Sequence, residues 1–118
     1  MRKVITYFIL INVIQSCDDI IEVPDISANI ITVLAPTDSS ILAETSVNFS
    51  WNMVTDAEQY KLQIATPNFE TATQIVLDTT IISSNFTKTL DLGNYEWRIR
   101  AENSDYQTSY TTQSFTIE

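Results

Sequence analysis

NYEWRIRAEN, residues 94–103, alternates apolar and polar side chains almost without a break. Tyr95, Trp97, Ile99 and Ala101 fall on one side, and Glu96, Arg98 and Arg100 on the other. That period of two is what a half-buried β-strand requires. On a helix the same apolar residues would scatter around the axis, so this stretch predicts a strand with one dry face and one wet face.

The same period recurs to either side. ITVLAP at 31–36 reads as a first strand, closed by Pro36 and the turn-forming TDSS. In SVNFSWN at 46–52, Val47, Phe49 and Trp51 point one way and Asn48, Ser50 and Asn52 the other. In EQYKLQIA at 58–65, Tyr60, Leu62 and Ile64 share the inner face. ATQIVLDT at 72–79 reads as an edge strand. IISSNFTKTL at 81–90 reads as a strand whose Ile82, Phe86 and Leu90 share a face, and SFTIE at 114–118 closes the chain with Phe115 and Ile117 inward. About seven short strands with turn signals every ~8–15 residues predict an all-β fold, an antiparallel β-sandwich, with a small barrel as the alternative. Trp51 and Trp97 are expected at the centre of its core, with Tyr60 and Tyr95 beside them.

Composition agrees with one small β domain. The chain has 118 residues, 44% of them hydrophobic and only 18% charged, with Ser and Thr abundant and strong helix formers sparse. Net charge is −9. Arg2 and Lys3 are the only charges before Cys17, so a chain beginning at Cys17 keeps four of the six basic residues against all 15 acidic ones, or −11. That balance argues against nucleic acid and against electrostatic binding to anionic lipid headgroups. There is no His and a single Cys, which removes internal disulfides and the His-dependent nucleophile systems.

The N-terminus has its own logic. MRK is a short basic segment, and VITYFILINVI, residues 4–14, is an apolar run of 11 residues. A membrane-spanning helix needs about 20 apolar residues, so this run has the length of a signal-peptide core instead. Residues 1–16 are therefore expected to be a cleaved leader. Ile14-Gln15-Ser16-Cys17 resembles the lipobox of bacterial lipoproteins, with Gln15 where a small residue is more usual. The resemblance implies that the Cys17 thiol receives a diacylglycerol, that the leader is cut before it, and that the new amino group is acylated. Such chains hold a protein at a bilayer, since each buried CH₂ contributes ~0.8 kcal/mol. Asp18 and Asp19 resemble the signals that send lipoproteins to the outer membrane and, in some lineages, to its outer face; on charge alone they equally open a solvated linker. Residues 17–30, with Pro24 and scattered acids, read as a tether. Its Ile20, Ile21, Val23 and Ile26 suggest that part of it packs along the domain as an extra strand.

Over residues 31–118 a second resemblance is visible. Phe49-x-Trp51, Ala57-x-x-Tyr60-x-Leu62-x-Ile64 and Leu90-x-x-Gly93-x-Tyr95-x-Trp97-x-Ile99-x-Ala101-x-Asn103 are similar to the pattern of fibronectin type III domains. The resemblance implies that Trp51 packs into the core and that Tyr95 forms the tyrosine corner, with Leu90 supporting it. Trp97 departs from the aliphatic residue more usual at its position. Gly93 is the sole glycine, so the other turns rely on Asn, Asp, Ser and Pro.

Candidate sites are few. Asp56, Glu58, Asp78 and Asp91 do not have the spacing of a cation loop, and no metal, cofactor or catalytic residue is expected. Arg98 and Arg100, on the wet face of 94–102 between Glu96 and Glu102, read either as a recognition surface or as cross-strand charge pairing. Tyr106 and Tyr110, in or near the last loop, are placed to stack on sugar rings or to cover the sandwich end. The sequons at Asn48 and Asn85 fall within strands and carry little weight beside a bacterial lipobox. Asp78-Thr79-Thr80 resembles a short O-glycosylation motif of some Gram-negative secreted proteins. The expectation is a non-catalytic lipoprotein of the cell envelope, membrane-bound through Cys17, offering a binding or adhesion module to a protein or glycan. The alternative is a structural spacer or accessory subunit of an outer-membrane surface complex. An exposed aromatic or apolar patch at one end would favour the binder, and a uniformly polar surface the spacer.

Overall fold

A computed structural model describes residues 22–118 of the chain; the expected leader at 1–16, Cys17, Asp18 and Asp19 lie outside the described residues. Eight strands follow one another: β1 (Val33–Ala35), β2 (Ser40–Leu42), β3 (Ser46–Trp51), β4 (Gln59–Thr66), β5 (Gln74–Ile81), β6 (Asn85–Thr89), β7 (Gly93–Glu102) and β8 (Thr111–Ile117). They form a three-stranded sheet of order β1-β3-β6 and a five-stranded sheet of order β2-β8-β7-β4-β5. The protein is an all-β sandwich.

The alternating residues meet between the sheets. Val47, Phe49 and Trp51 of β3 face Tyr60, Leu62 and Ile64 of β4, Tyr95, Trp97, Ile99 and Ala101 of β7, and Phe115 and Ile117 of β8, all buried. The centre is aromatic. Phe49 stands edge-on to Trp97 and to Phe115, with ring centroids 5.0 and 5.7 Å apart, and Trp51 lies 5.6 Å from Tyr60 and 6.3 Å from Trp97. Such offset and edge contacts add to simple area burial. Polar handles are met locally: the Tyr60 hydroxyl accepts from the Val54 amide at 2.8 Å, and the Tyr95 hydroxyl donates to the Asp91 carbonyl at 2.8 Å. The Trp97 indole donates to the Pro36 carbonyl at 3.2 Å. Trp51 Nε1 is buried with no acceptor among the described residues.

Four features differ from the sequence reading. First, β2 forms where a turn was expected and pairs parallel with β8, Ser40 opposite Phe115 and Leu42 opposite Ile117, the one parallel strand pair among the described residues. Its cause is side-chain capture: the Asp38 carboxylate accepts from the Ser114 amide and hydroxyl at 2.8 and 3.0 Å. Second, 81–90 is not one strand. The chain turns at 82–84, leaving Ile82 79% exposed, while Leu90 is buried beyond the end of β6 with its amide on the Thr45 carbonyl. Third, β5 keeps its edge position but runs two residues later than expected, and β8 begins at Thr111. Fourth, residues 22–30 form no strand; the segment turns so that Asn29 N donates to the Ile26 carbonyl at 2.9 Å, and Ile26 inserts into the core.

With one glycine available, two turns place other residues in the left-handed region, Ser39 at φ 66° and Asp56 at φ 72°, types that tolerate it better than branched ones. Gly93 opens β7 at φ 154°.

Candidate binding surface

The outward face of the five-stranded sheet collects most of the cationic side chains that the described segment carries. β4 and β7 pair with Gln59 opposite Glu102, Lys61 opposite Arg100 and Gln63 opposite Arg98, and directly opposite residues share a face. Lys61 also lies opposite Thr80, and Gln63 opposite Asp78, on β5. Lys61, Arg98 and Arg100 therefore stand together, leaving Lys88 as the only basic residue elsewhere in 22–118.

The acids of this face are held by their neighbours. Asp78 pairs with Lys61 at 2.9 Å, and that hydrogen bond holds its carboxyl below, and the Lys61 ammonium above, their ordinary values. Glu102 accepts from Arg100 Nε at 2.8 Å and from Gln59 Nε2 at 2.9 Å. Burial alone would raise its carboxyl; these hydrogen bonds and the Arg100 charge outweigh burial and hold it below the usual range. Glu96 accepts from the Phe69 amide at 2.9 Å.

That last bond brings in a residue the sequence did not single out. The 67–73 loop is closed by the Asn68 carboxamide, which accepts from the Thr71 amide and hydroxyl at 2.7 and 2.9 Å, and by the Thr73 amide on the Thr66 carbonyl at 2.8 Å. It lays Phe69 across the sheet, with Arg98 Cζ 4.1 Å from its ring centroid. The Tyr110 centroid is 4.4 Å from Arg98 Cζ and 4.7 Å from Arg100 Cζ. Tyr110 is placed by buried Thr108, whose hydroxyl accepts from the Ala101 amide at 3.0 Å and donates to the Ser109 carbonyl at 2.9 Å. Arg98 Nε donates to Gln63 Oε1 at 2.7 Å. The result is a rack of two guanidiniums and two rings. Stacking keeps each guanidinium plane in place, so less freedom remains to be lost when a partner binds.

Of the four residues singled out in the sequence as ligand contacts, the fold joins Arg98, Arg100 and Tyr110. Tyr106, 38% exposed, makes no aromatic or cation–π contact among the described residues; its backbone is tied to Asn103 in the 103–110 loop. Two guanidiniums engage the Tyr110 ring, so that ring is already occupied within the chain. Nothing in the local pattern around Phe69 marked it: a lone aromatic in PNFETAT has no periodicity to read. Thr79 is half-buried and pairs with Leu62 on the inner side of β5. Among the described residues no group of three acids, Cys or His could hold a metal ion.

Of the eight exposed large apolar side chains among the described residues, four lie at the end where the N-terminal segment enters, and Leu34, Ile41, Ile75 and Leu92 lie elsewhere. Ile30 and Met53, 79% and 68% exposed, line one depression there, and Ile82 and Tyr106 lie in neighbouring loops of that end. No described helix is long and apolar enough to cross a membrane.

No protein-family model matches the chain, and no curated protein matches it. Solved structures do. A fibronectin(III)-like module of Clostridium thermocellum CbhA aligns with a TM-score of 0.55 at 8% identity, over 75% of this chain and 96% of that one. FN3tt aligns at a TM-score of 0.52 and 14% identity, over 75% and 88%. The fibronectin type III domain of the human KIAA0970 protein aligns at 0.52 and 17%, over 74% and 72%. The likeness is one of fold: the sandwich is fibronectin type III-like. A fold of this kind hosts many functions, so function has to be read from its surface.

Proposed function

We propose that this chain is a non-catalytic lipoprotein of the cell envelope, anchored in the outer membrane through acylated Cys17, whose fibronectin type III-like sandwich binds a protein or glycan. The observation that carries the binding reading is the rack on the five-stranded sheet, where Arg98 lies between Phe69 and Tyr110. Arginines and aromatics held in place on an open face are the residue types that dominate recognition surfaces.

The anchor bears on which surface is free. Asn103 Nδ2 donates to the Pro24 carbonyl at 2.9 Å, tying the N-terminal segment to the end that carries the 103–110 loop. Six residues lie between Cys17 and Pro24, a reach of about 25 Å at most over the seven Cα–Cα steps. Acylated Cys17 would hold that end toward the bilayer and leave the sheet faces and the opposite end open to a partner. The rack lies on such a face, and Tyr106 does not.

The test has two arms. External protease on intact cells, with Cys17→Ala as the unanchored control, should digest the domain, and the control should leave the membrane. Glycan and envelope-protein arrays probed with wild-type and Arg98→Ala protein should then show a signal that the substitution reduces. Unchanged processing and membrane association in Cys17→Ala would refute the anchor. Array binding indifferent to Arg98→Ala would refute the rack as the site.

A further inference from the structure

Four planar side chains on and beside the rack share one construction. Each is fixed at one polar atom by a bond inside the protein, and its other polar end has no partner among the described residues. Arg98 is held at Nε by Gln63 at 2.7 Å, and its two terminal nitrogens meet no acceptor. Glu96 is held at Oε1 by the Phe69 amide at 2.9 Å, which leaves Oε2. Asn94 is held at Oδ1 by the Thr116 hydroxyl at 2.9 Å, which leaves Nδ2. Asn68 is held at Oδ1 by the Thr71 amide and hydroxyl at 2.7 and 2.9 Å, which leaves its own Nδ2. Asn94, Glu96 and Arg98 alternate along β7 and stand on its outward face. Asn68, Asn94 and Glu96 line one depression of about 410 Å³ between the 67–73 loop and β2, walled by Ile41, Pro67 and Thr116. It lies toward the Gly93 end of β7, away from the contact between Asn103 and Pro24.

We propose that this row binds a neutral glycan through its ring hydroxyls. The inference rests on the reading of the rack as a binding surface and names its ligand. Three of the unpartnered ends donate, on Asn68, Asn94 and Arg98, and one accepts, on Glu96. A hydroxyl both donates and accepts, so it meets either kind of end. A carboxylate or sulfate only accepts; Glu96 repels it, and so does the net charge of −9. A cationic ligand would meet Arg98. The remaining charges of the face are already matched, Lys61 by Asp78 and Arg100 by Glu102, and Arg98 and Glu96 offset each other. The row thus offers charged hydrogen-bonding groups, which bond more strongly than neutral ones, without a net charge for the ligand to neutralise. Because each group is fixed in advance, less freedom is lost on binding. A protein partner would need an apolar centre to the contact. Of the residues that line the depression, only Ile41 and Pro67 are both apolar and exposed, a wall suited to the C–H face of a sugar ring. From Asn94 to Arg98 the row runs about 13–14 Å, longer than one such ring.

Arrays followed by titration calorimetry on the full chain in detergent test the assignment. The probes are neutral gluco-, manno-, galacto- and xylo-oligosaccharides, with uronate-bearing glycans, sulfated glycans and envelope proteins alongside. A neutral oligosaccharide should bind, with a Kd that changes less than about twofold between low and high salt, since no ion pair to the ligand is screened. Asn94→Asp keeps the oxygen that Thr116 holds and turns the unpartnered donor into an acceptor; it should weaken this binding at least about tenfold. Glu96→Gln keeps the acceptor for the Phe69 amide and turns Oε2 into a donor; it should likewise weaken binding at least about tenfold, whereas an acidic ligand would bind more tightly. Asn85→Asp adds the same charge as Asn94→Asp on the outward face of the other sheet and should leave the Kd unchanged. Far-UV circular dichroism should be the same for all three variants. Arg98-dependent binding confined to proteins or acidic glycans would overturn the neutral-glycan assignment and leave the rack as a binding surface. No Arg98-dependent binding on any array would overturn both. Neutral-glycan binding indifferent to Asn94→Asp and Glu96→Gln, or tightened by Glu96→Gln, would overturn the row as its site.

Discussion

The indole nitrogen of Trp97 donates to the carbonyl of Pro36, 3.2 Å away and 61 residues earlier in the chain. This bond ties the β1–β2 connection, where the chain leaves one sheet for the other, to the middle of the core. Trp51, equally buried, has no such acceptor among the described residues. Trp97→Phe loses a satisfied donor and strands a carbonyl, whereas Trp51→Phe removes a donor that was already unmatched. Trp97→Phe should therefore cost about 1 kcal/mol more than Trp51→Phe. Urea unfolding followed by circular dichroism measures both, and equal losses would contradict the assignment.

The turn into β7 makes two further demands. Tyr95→Phe deletes the 2.8 Å bond to the Asp91 carbonyl and should cost about 1 kcal/mol. Gly93→Ala should cost at least about 1 kcal/mol. Space is not the reason, since an added Cβ would sit 3.8 Å from the Tyr95 ring, an ordinary contact; the reason is the φ of +154° that a side chain resists. A neutral Gly93→Ala in equilibrium unfolding would show that the turn relaxes.

The rack should be visible as coupling. In a double-mutant cycle of Arg98→Ala and Tyr110→Ala, the interaction energy should be about 0.5–1 kcal/mol, the range of a cation–π pair near the surface. The Arg98–Phe69 cycle should give a similar value. Additive losses would mean that the rings only cover the sheet.

The pH dependence follows from Glu102 and Asp78. Hydrogen bonds hold both carboxyls below their ordinary values of 4.5 and 3.8, so the folded protein releases these protons more readily than the unfolded chain. The stability they contribute is present above those values and is lost as pH falls through and below them. Glu102→Gln should flatten this acid slope more than Asp78→Asn, because the Glu102 side chain is 16% exposed and that of Asp78 48%, and exposed pairs contribute little. Urea midpoints from neutral to acidic pH provide the comparison.

β3, β4 and β7 were legible at once. Their inner residues, from Val47 through Trp51, Tyr60 and Trp97 to Ala101, follow a period of two that any half-buried strand imposes, and the Leu90–Gly93–Tyr95 spacing pointed to the corner at Asp91. Arg98, Arg100 and Tyr110 were legible as wet-face and loop residues. β2 was not, because Ser40–Leu42 becomes a strand only through Asp38 and Ser114, 76 residues apart. Ile82 was misplaced because periodicity counts through a turn as if the strand continued.

The sequence by itself determined that the chain alternates, which side chains its strands bury, that its charge is strongly negative and that its one cysteine follows an apolar leader-like run. These are local or additive properties. Only the tertiary structure decided that β2 runs parallel to β8, that Ile26 joins the core, that Phe69 reaches Arg98 and that β5 is left as an open edge. Each of these depends on which distant segments become neighbours, and that is settled by packing and hydrogen bonding between residues that no short window of sequence contains together.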